Sequence, residues 1–231
     1  MGIVRLEDEI EQQGFELVSG FLDEVERAEI LSEVGAVSGA GRRDALSLPA
    51  VTRLARSSDL LGRVRRHVCG EPFPAQAIYF DKSAERNWMV AWHQDLTIAV
   101  RERIEVAGFG PWSMKGAALH VQPPIEVLEK MLTVRLHLDD ADESNGALRV
   151  LPGSHRFGRL DAEAIERLRK QTPEHLCIAK AGDALVMRPL LLHASRRSST
   201  TGHRRVLHIE YSAFELPGGL RWSDPRWLEA R

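Results

Sequence analysis

His93 and Asp95 stand two residues apart in Trp92-His93-Gln94-Asp95, and in an extended segment that spacing turns an imidazole and a carboxylate to the same side of the chain. Together they can meet one metal ion. A second imidazole would complete a 2-His-1-carboxylate face, the arrangement in which non-haem iron(II) keeps open positions for a cosubstrate and oxygen. His193, at the end of the run ALVMRPLLLH, is the natural third ligand. A competing pair, His137 and Asp139, has the same spacing. Between His93 and His193 there is room for four or five strands, whereas His137 is followed by too few, so the first pair is preferred. Thr133, Arg135 and His137 share one face of their own strand, which suits His137 to a pocket wall and equally to a buried core position. His120 and His208 read as core histidines.

Ser195 follows His193 by two residues and Arg204 follows it by eleven, at the start of the last long apolar run. A diacid such as 2-oxoglutarate can chelate a metal through its C1 carboxylate and 2-oxo group, which leaves a distal carboxylate in need of a cation. A guanidinium stays charged when desolvated and engages a carboxylate through two hydrogen bonds, and a serine hydroxyl adds a third. Arg204 and Ser195 have the spacing for this. Arg205 faces the other way and reads as a surface or interface charge. Lys82 and Arg86, in FDKSAERNW, fit either attraction of an anionic substrate or a solvated turn.

The elements that must carry these residues are legible as a change of period. Asp23 caps a helix ending near Gly35, the Gly- and Ser-rich stretch 36–50 reads as a loop, and Val51 to Val68 reads as one or two short helices. From Ala75 the pattern turns to short β-branched and aromatic runs punctuated by Pro, Gly and Asn: AQAIYF, NWMVAW, KGAALHV, MLTVRLHL, GALRVL, HLCIAK, ALVMRP and RRVLHIEYSAF. Ser144-Asn145-Gly146 is read as a hairpin turn between two of them, and residues 99–116 as a long irregular excursion. This predicts a mainly β fold with helical cover, a double-sheet jelly roll with the N-terminal helices packed on one sheet. The chain is expected to form one domain over 1–231, with helical cover over 1–70 and a jelly-roll core over 75–213.

Composition narrows the partners. The 31 Lys and Arg against 33 Asp and Glu give a formal charge of −2, so no general electrostatic pull toward nucleic acid or an anionic membrane is expected. A small-molecule substrate is. Cys69 and Cys177 form no CxxC pair, the opening MGIVRLEDEIEQQGF has no apolar signal core, and no long apolar run spans a membrane, so a reducing cytoplasmic setting is expected. Oligomeric state is not legible.

The motifs His93-Gln94-Asp95, His193-Ala194-Ser195 with Arg204 downstream, and NGALRVLPGSHRFG at 145–158, with the opening GFELVSGFLDEVE, resemble the phytanoyl-CoA dioxygenase family from about Gly14 to Tyr211. The resemblance implies a double-stranded β-helix, iron(II), 2-oxoglutarate and molecular oxygen. It implies His93, Asp95 and His193 as iron ligands, and Arg204 with Ser195 for the distal carboxylate. Arg135 stands where some members carry a tryptophan against the cosubstrate, a departure that leaves it to a carboxylate of cosubstrate or substrate, or to an ion pair. Gln76 and Thr133 are placed on the cosubstrate side, and Trp88, Trp112, Lys115, Gln122 and His137 on the substrate side. The expected activity is hydroxylation of a small-molecule C–H bond with release of succinate and CO2. Asp95 argues against halogenation, for which related enzymes carry a small residue in place of this carboxylate. The rivals are a cupin-like metal enzyme without 2-oxoglutarate and a non-catalytic binding sensor.

Overall fold

A computed structural model describes residues 7–223 apart from 36, 38 and 40. The outer ends of the expected domain, and three residues of the expected 36–50 loop, lie outside them. The helices are α1 (Glu7–Gln13), α2 (Glu24–Val34), α3 (Pro49–Ala55), α4 (Ser58–Arg65), α5 (Ile125–Glu129) and α6 (Ala162–Gln171). Local chemistry sets their starts. At α2 the Asp23 carboxylate accepts from the Glu26 amide while the Glu26 side chain accepts from the Asp23 amide, a reciprocal capping box. Pro49 opens α3, where a missing N–H costs nothing, and the Ser57 hydroxyl caps α4.

The strands are β1 (Phe15–Val18), β2 (Gly41–Arg42), β3 (Phe73–Lys82), β4 (Val90–His93), β5 (Ile98–Val100), β6 (Trp112–Lys115) and β7 (Ala118–Val121). They continue with β8 (Leu132–His137), β9 (Leu148–Val150), β10 (His175–Cys177), β11 (Ala184–Met187), β12 (His193–Ser195) and β13 (Arg204–Ser212). All pairings between them are antiparallel: a six-stranded sheet in the order β1-β11-β8-β13-β3-β2, a four-stranded sheet β10-β9-β12-β4, and a three-stranded sheet β5-β7-β6. This is the expected jelly roll.

The period of two divides the large sheet into two faces with different chemistry. Ala77, Tyr79, Val134, Leu136, Val186, Leu207, Ile209 and Tyr211 point outward into the main apolar core, against Ile30, Val51, Leu54, Leu60 and Val64 of the N-terminal helices. Tyr211 donates its hydroxyl to the Ala55 carbonyl at 2.9 Å, which ties α3 to β13. Leu136 is fully buried in this layer, and Leu136→Ala is expected to lower unfolding free energy by about 2–5 kcal/mol, read from urea denaturation. On the inner face, Leu185 and Met187 pack with Phe15, Leu148, Val150, Cys177 and Leu191 as a closed apolar end of the sandwich. The rest of the inner face mixes polar side chains such as Gln76, Arg135, Arg204 and His208 with Ile78 and Phe80, and that is where the cavity lies.

Three expectations change. Asn145-Gly146 is a turn but not a hairpin, because β8 and β9 belong to opposite sheets; the Asp142 carboxylate, accepting from the Ser144 and Asn145 amides, holds it. The excursion 99–116 and the run KGAALHV resolve into the small third sheet, with Gly116 at φ 65° turning β6 into β7. α6 is unforeseen; it lies at the surface with no fully buried residue, resting on the half-buried Ala164, Ile165 and Leu168.

Candidate active site

His93 and His193 are cross-strand partners between β4 and β12, so one register places both imidazoles side by side, with ring centroids 4.2 Å apart. Asp95 lies just beyond β4, its backbone amide donating to the Pro189 carbonyl at 2.9 Å. Its two oxygens stand 3.7 Å from Nε2 of His93 and 3.7 Å from Nε2 of His193, and one ligand atom from each of the three residues falls within 4.8 Å of the others. Each imidazole is oriented from behind: Nδ1 of His93 lies 2.9 Å from the Ala91 carbonyl, and Nδ1 of His193 lies 2.9 Å from that of Leu191. Those contacts put the proton on Nδ1 and leave Nε2 bare toward the shared centre, as a metal requires. The donor set fits a divalent iron, and Asp95 Oδ2 is buried without a hydrogen-bond partner, as an atom reserved for an ion would be.

The electrostatics agree. Burial pushes the Asp95 carboxyl up, but the pull of His193, His208, His93 and Arg135 overrides it and holds the group at about 2. Burial lowers His193 to about 4. Both groups therefore stand deprotonated at neutral pH. Gln94, between the ligands, faces the opposite way: its amide donates to the carbonyls of Gly158 and Leu190 at 2.7 Å each and accepts from the Leu160 amide at 2.9 Å. It fixes the segment that carries His93 and Asp95.

Across the cavity, alternate residues of β3 and β13 face the triad, with Lys82 opposite Arg204 and Gln76 opposite Glu210 in register. Arg204 is 4% exposed, and its Nε has no hydrogen-bond partner. Burial, and then Arg135, lower it to about 10. Lys82 is fully buried; its ammonium donates to the Ser195 hydroxyl at 3.1 Å and to the Arg196 carbonyl at 2.6 Å. Burial, Arg204 and Arg135 push Lys82 down to about 7. A buried guanidinium beside a buried ammonium, with no carboxylate bonded to either among the described residues, is costly unless an anion joins them. The distal carboxylate of a diacid has the required charge, and the Ser195 proton is free to be donated to it.

Arg135 donates to Nδ1 of His208 at 2.9 Å, which leaves His208 its proton on Nε2, 3.5 Å from Glu210. The ion pair considered for Arg135 is thus absent among the described residues, and its Nε remains unpartnered. The cavity, about 270 Å³, is lined by the triad together with Gln76, Trp88, Lys115, Arg135, Ser195 and Arg204 from the expected set. Four expected residues are not on its wall. Trp112 packs into the apolar cluster beside the small sheet, with the Arg103 guanidinium 5.4 Å from its ring. Gln122 spends its backbone on Gly110 and Pro111. Thr133 and His137 point inward with Arg135, as their alternation requires, but are buried outside the cavity with Thr133 Oγ1 and both His137 ring nitrogens unpartnered.

Sequence reasoning missed others. Lys82 is neither on a solvated turn nor at the surface, because β3 runs two residues past the AQAIYF run and carries the inward alternation of Gln76, Ile78 and Phe80 on to it. His120 and His208, read as core, line the cavity. Arg86 pairs with Asp81 at 2.7 Å, and Arg205 with Asp139 at 2.6 Å.

The buried neutral histidines carry a pH prediction. Burial, Arg135 and Arg204 hold His137 down at about 3, and burial, Lys115 and Arg43 hold His120 at about 4. Unfolded histidine takes its proton near 6.5, so below that pH the unfolded chain binds more protons than the folded one. Stability is therefore full above about pH 6.5 and is lost progressively as pH falls toward 4. Urea midpoints measured from pH 7 to 4 should fall, and His137→Leu should flatten the decline.

A jelly roll holding two oriented imidazoles and a carboxylate within reach of one ion, opposite an unpaired guanidinium, defines the class of mononuclear non-haem iron and 2-oxoglutarate enzymes. The family model for phytanoyl-CoA dioxygenase (PhyH) matches residues 10–206, and the chain belongs to that family. It is an oxygenase-type enzyme using iron, 2-oxoglutarate and O2. Among solved structures, EctD from S. alaskensis with 2-oxoglutarate and 5-hydroxyectoine is similar at 18% identity and TM-score 0.70, covering 92% of this chain and 76% of that one. HygX from Streptomyces hygroscopicus with iron bound matches at 18% identity and TM-score 0.64, covering 93% and 90%. The non-heme alpha ketoglutarate dependent epimerase SnoN from nogalamycin biosynthesis matches at 21% identity and TM-score 0.66, covering 90% and 79%. At these identities the likeness is one of fold. No curated protein matches the chain. No helix among the described residues is long and apolar enough to cross a membrane.

Proposed function

We propose that this protein hydroxylates a C–H bond of a small molecule, converting substrate, 2-oxoglutarate and O2 to hydroxylated substrate, succinate and CO2. His93, Asp95 and His193 hold the iron; Arg204, Ser195 and Lys82 hold the distal carboxylate of 2-oxoglutarate. The observation that carries the reading is the presence, in one cavity, of an oriented His–Asp–His triad and an unpartnered buried guanidinium. Iron with 2-oxoglutarate and oxygen supplies the oxidising power, placing one oxygen atom in succinate and the other in the product. The protein's own part is positional. The Ala91 and Leu191 carbonyls fix the ligand rings, Gln94 anchors the segment that carries His93 and Asp95, and the paired cations of β3 and β13 set the end at which the diacid lies. The Asp95 carboxylate fills the third protein ligand position, which favours hydroxylation over halide transfer.

The test is anaerobic titration of the protein with Fe(II) and then 2-oxoglutarate, followed by admission of oxygen. A weak visible charge-transfer band and subsequent succinate are expected, together with a product heavier by one oxygen when a metabolite extract is supplied. A band without succinate in the presence of substrates would make the protein a binding sensor, and metal binding without a 2-oxoglutarate response would place it with metal enzymes that do not use that cosubstrate.

A further inference from the structure

A second group of hydrogen-bond donors lines the same cavity on elements that hold neither the triad nor Arg204. Lys115, at the end of β6, donates to the Thr97 hydroxyl at 2.6 Å, and Thr97 Oγ1 lies 3.3 Å from Nδ1 of His120 on β7. An ammonium only donates, so Thr97 accepts from it and has its own proton to give. The acceptor within reach is His120 Nδ1, which leaves the His120 proton on Nε2. His120 is 2% exposed and its Nε2 has no hydrogen-bond partner. Burial, reinforced by Lys115 and Arg43, keeps this ring neutral, with a pKa of about 4. Arg43 completes the group from the turn after β2; neither it nor Lys115 makes an ion pair among the described residues. The ammonium, the guanidinium and the Nε2–H of His120 all have protons left to give.

The charge of the whole cavity points the same way. Among the described residues, Arg43, Lys115, Arg135 and Arg204 line it against Asp95 and Glu210, with the Lys82 ammonium buried behind Ser195. A ferrous ion and a dianionic 2-oxoglutarate cancel one another, so loading the cavity leaves its positive excess in place. The two donor groups are also distinct: Lys82 is influenced by Arg204 and Arg135, whereas His120 is influenced by Lys115 and Arg43. We propose that Lys115, Arg43 and the Nε2–H of His120 form a carboxylate-binding subsite that anchors a small carboxylic acid as the substrate. This rests on the functional reading above and adds the substrate class. Thr97 follows Asp95 by two residues, so their Cα atoms are at most ~7 Å apart, and a carboxylate held beside Thr97 presents carbons a few bonds away to the metal. The cavity volume of about 270 Å³, shared with the cosubstrate, suits a compact acid.

The experiment uses full-length protein loaded anaerobically with Fe(II) and saturating 2-oxoglutarate, titrated calorimetrically with hexanoate and with its neutral analogue hexanamide. Hexanoate is expected to bind at least about tenfold more tightly than hexanamide, the gain of a charge-assisted hydrogen bond. Lys115→Met and Arg43→Met should each weaken hexanoate by about tenfold and leave hexanamide unchanged. The affinity for 2-oxoglutarate, measured first on every variant, should not move, which also shows that the variants fold. Equal binding of acid and amide, or hexanoate affinity indifferent to both substitutions, overturns the subsite while the 2-oxoglutarate isotherm stands. Absence of that isotherm in the unsubstituted protein overturns the functional reading and the subsite with it.

Discussion

His93→Ala is expected to lower iron(II) affinity by more than about a hundredfold, measured anaerobically by competition with a chromophoric chelator, whereas His137→Ala leaves it within a few-fold. The scale follows from metal sites in which loss of a hydrogen-bond partner behind a ligand already costs about 10- to 100-fold; loss of the ligand itself costs more. His93 is the informative ligand to remove, because its side chain is 41% exposed against 4% for His193, so the substitution opens no core cavity and the fold should persist. The two histidines contrast in orientation. The His93 ring is held by the Ala91 carbonyl with Nε2 directed at the triad, while both ring nitrogens of His137 lack partners and its residue lies off the cavity wall. Iron affinity retained in His93→Ala, or lost in His137→Ala alone, would remove His93 from the site.

Arg204→Met is expected to weaken 2-oxoglutarate by about 3–5 kcal/mol, roughly a hundredfold to several thousandfold, while iron affinity is unchanged. The cause is asymmetric. In the unsubstituted protein the bound distal carboxylate and the guanidinium compensate each other's desolvation; in the variant the carboxylate enters the same buried place beside Lys82 and Ser195 without its bidentate partner. A second consequence separates this role from a structural one. An unpaired buried cation destabilises the protein before ligand binds, so Arg204→Met should be at least as stable as the unsubstituted protein without 2-oxoglutarate and should gain far less from its addition. Thermal melts with and without the diacid measure both. A variant that retains the full ligand-induced rise in Tm would take Arg204 out of the cosubstrate site.

Much of the site was legible because its parts are local. The two-residue spacing of His93 and Asp95 fixes their common face in any extended segment, and the alternation of Thr133, Arg135 and His137 fixes theirs. The outward apolar alternation of β8, β11 and β13 likewise required a helical layer to cover it, and the N-terminal helices provide it. What alternation could not show is depth. Thr133 and His137 share the inward face with Arg135 yet are not on the cavity wall, while Lys82, beyond an Asp that read as a turn, is fully buried and bonds the Ser195 hydroxyl that is on it.

Side-chain order along each strand is a property of the chain, and so the alternating runs alone called for a jelly roll, and the spacings of His93, Asp95, His193 and Arg204 were enough to single them out as one candidate site. The tertiary structure alone decided which inward side chains meet open space, because that depends on what the facing sheet lays over them. It also decided that Lys115, Thr97 and His120, separated along the chain, become one hydrogen-bonded chain of donors: their meeting depends on β6 and β7 folding back beside the segment after Asp95, a long-range placement that no local periodicity encodes.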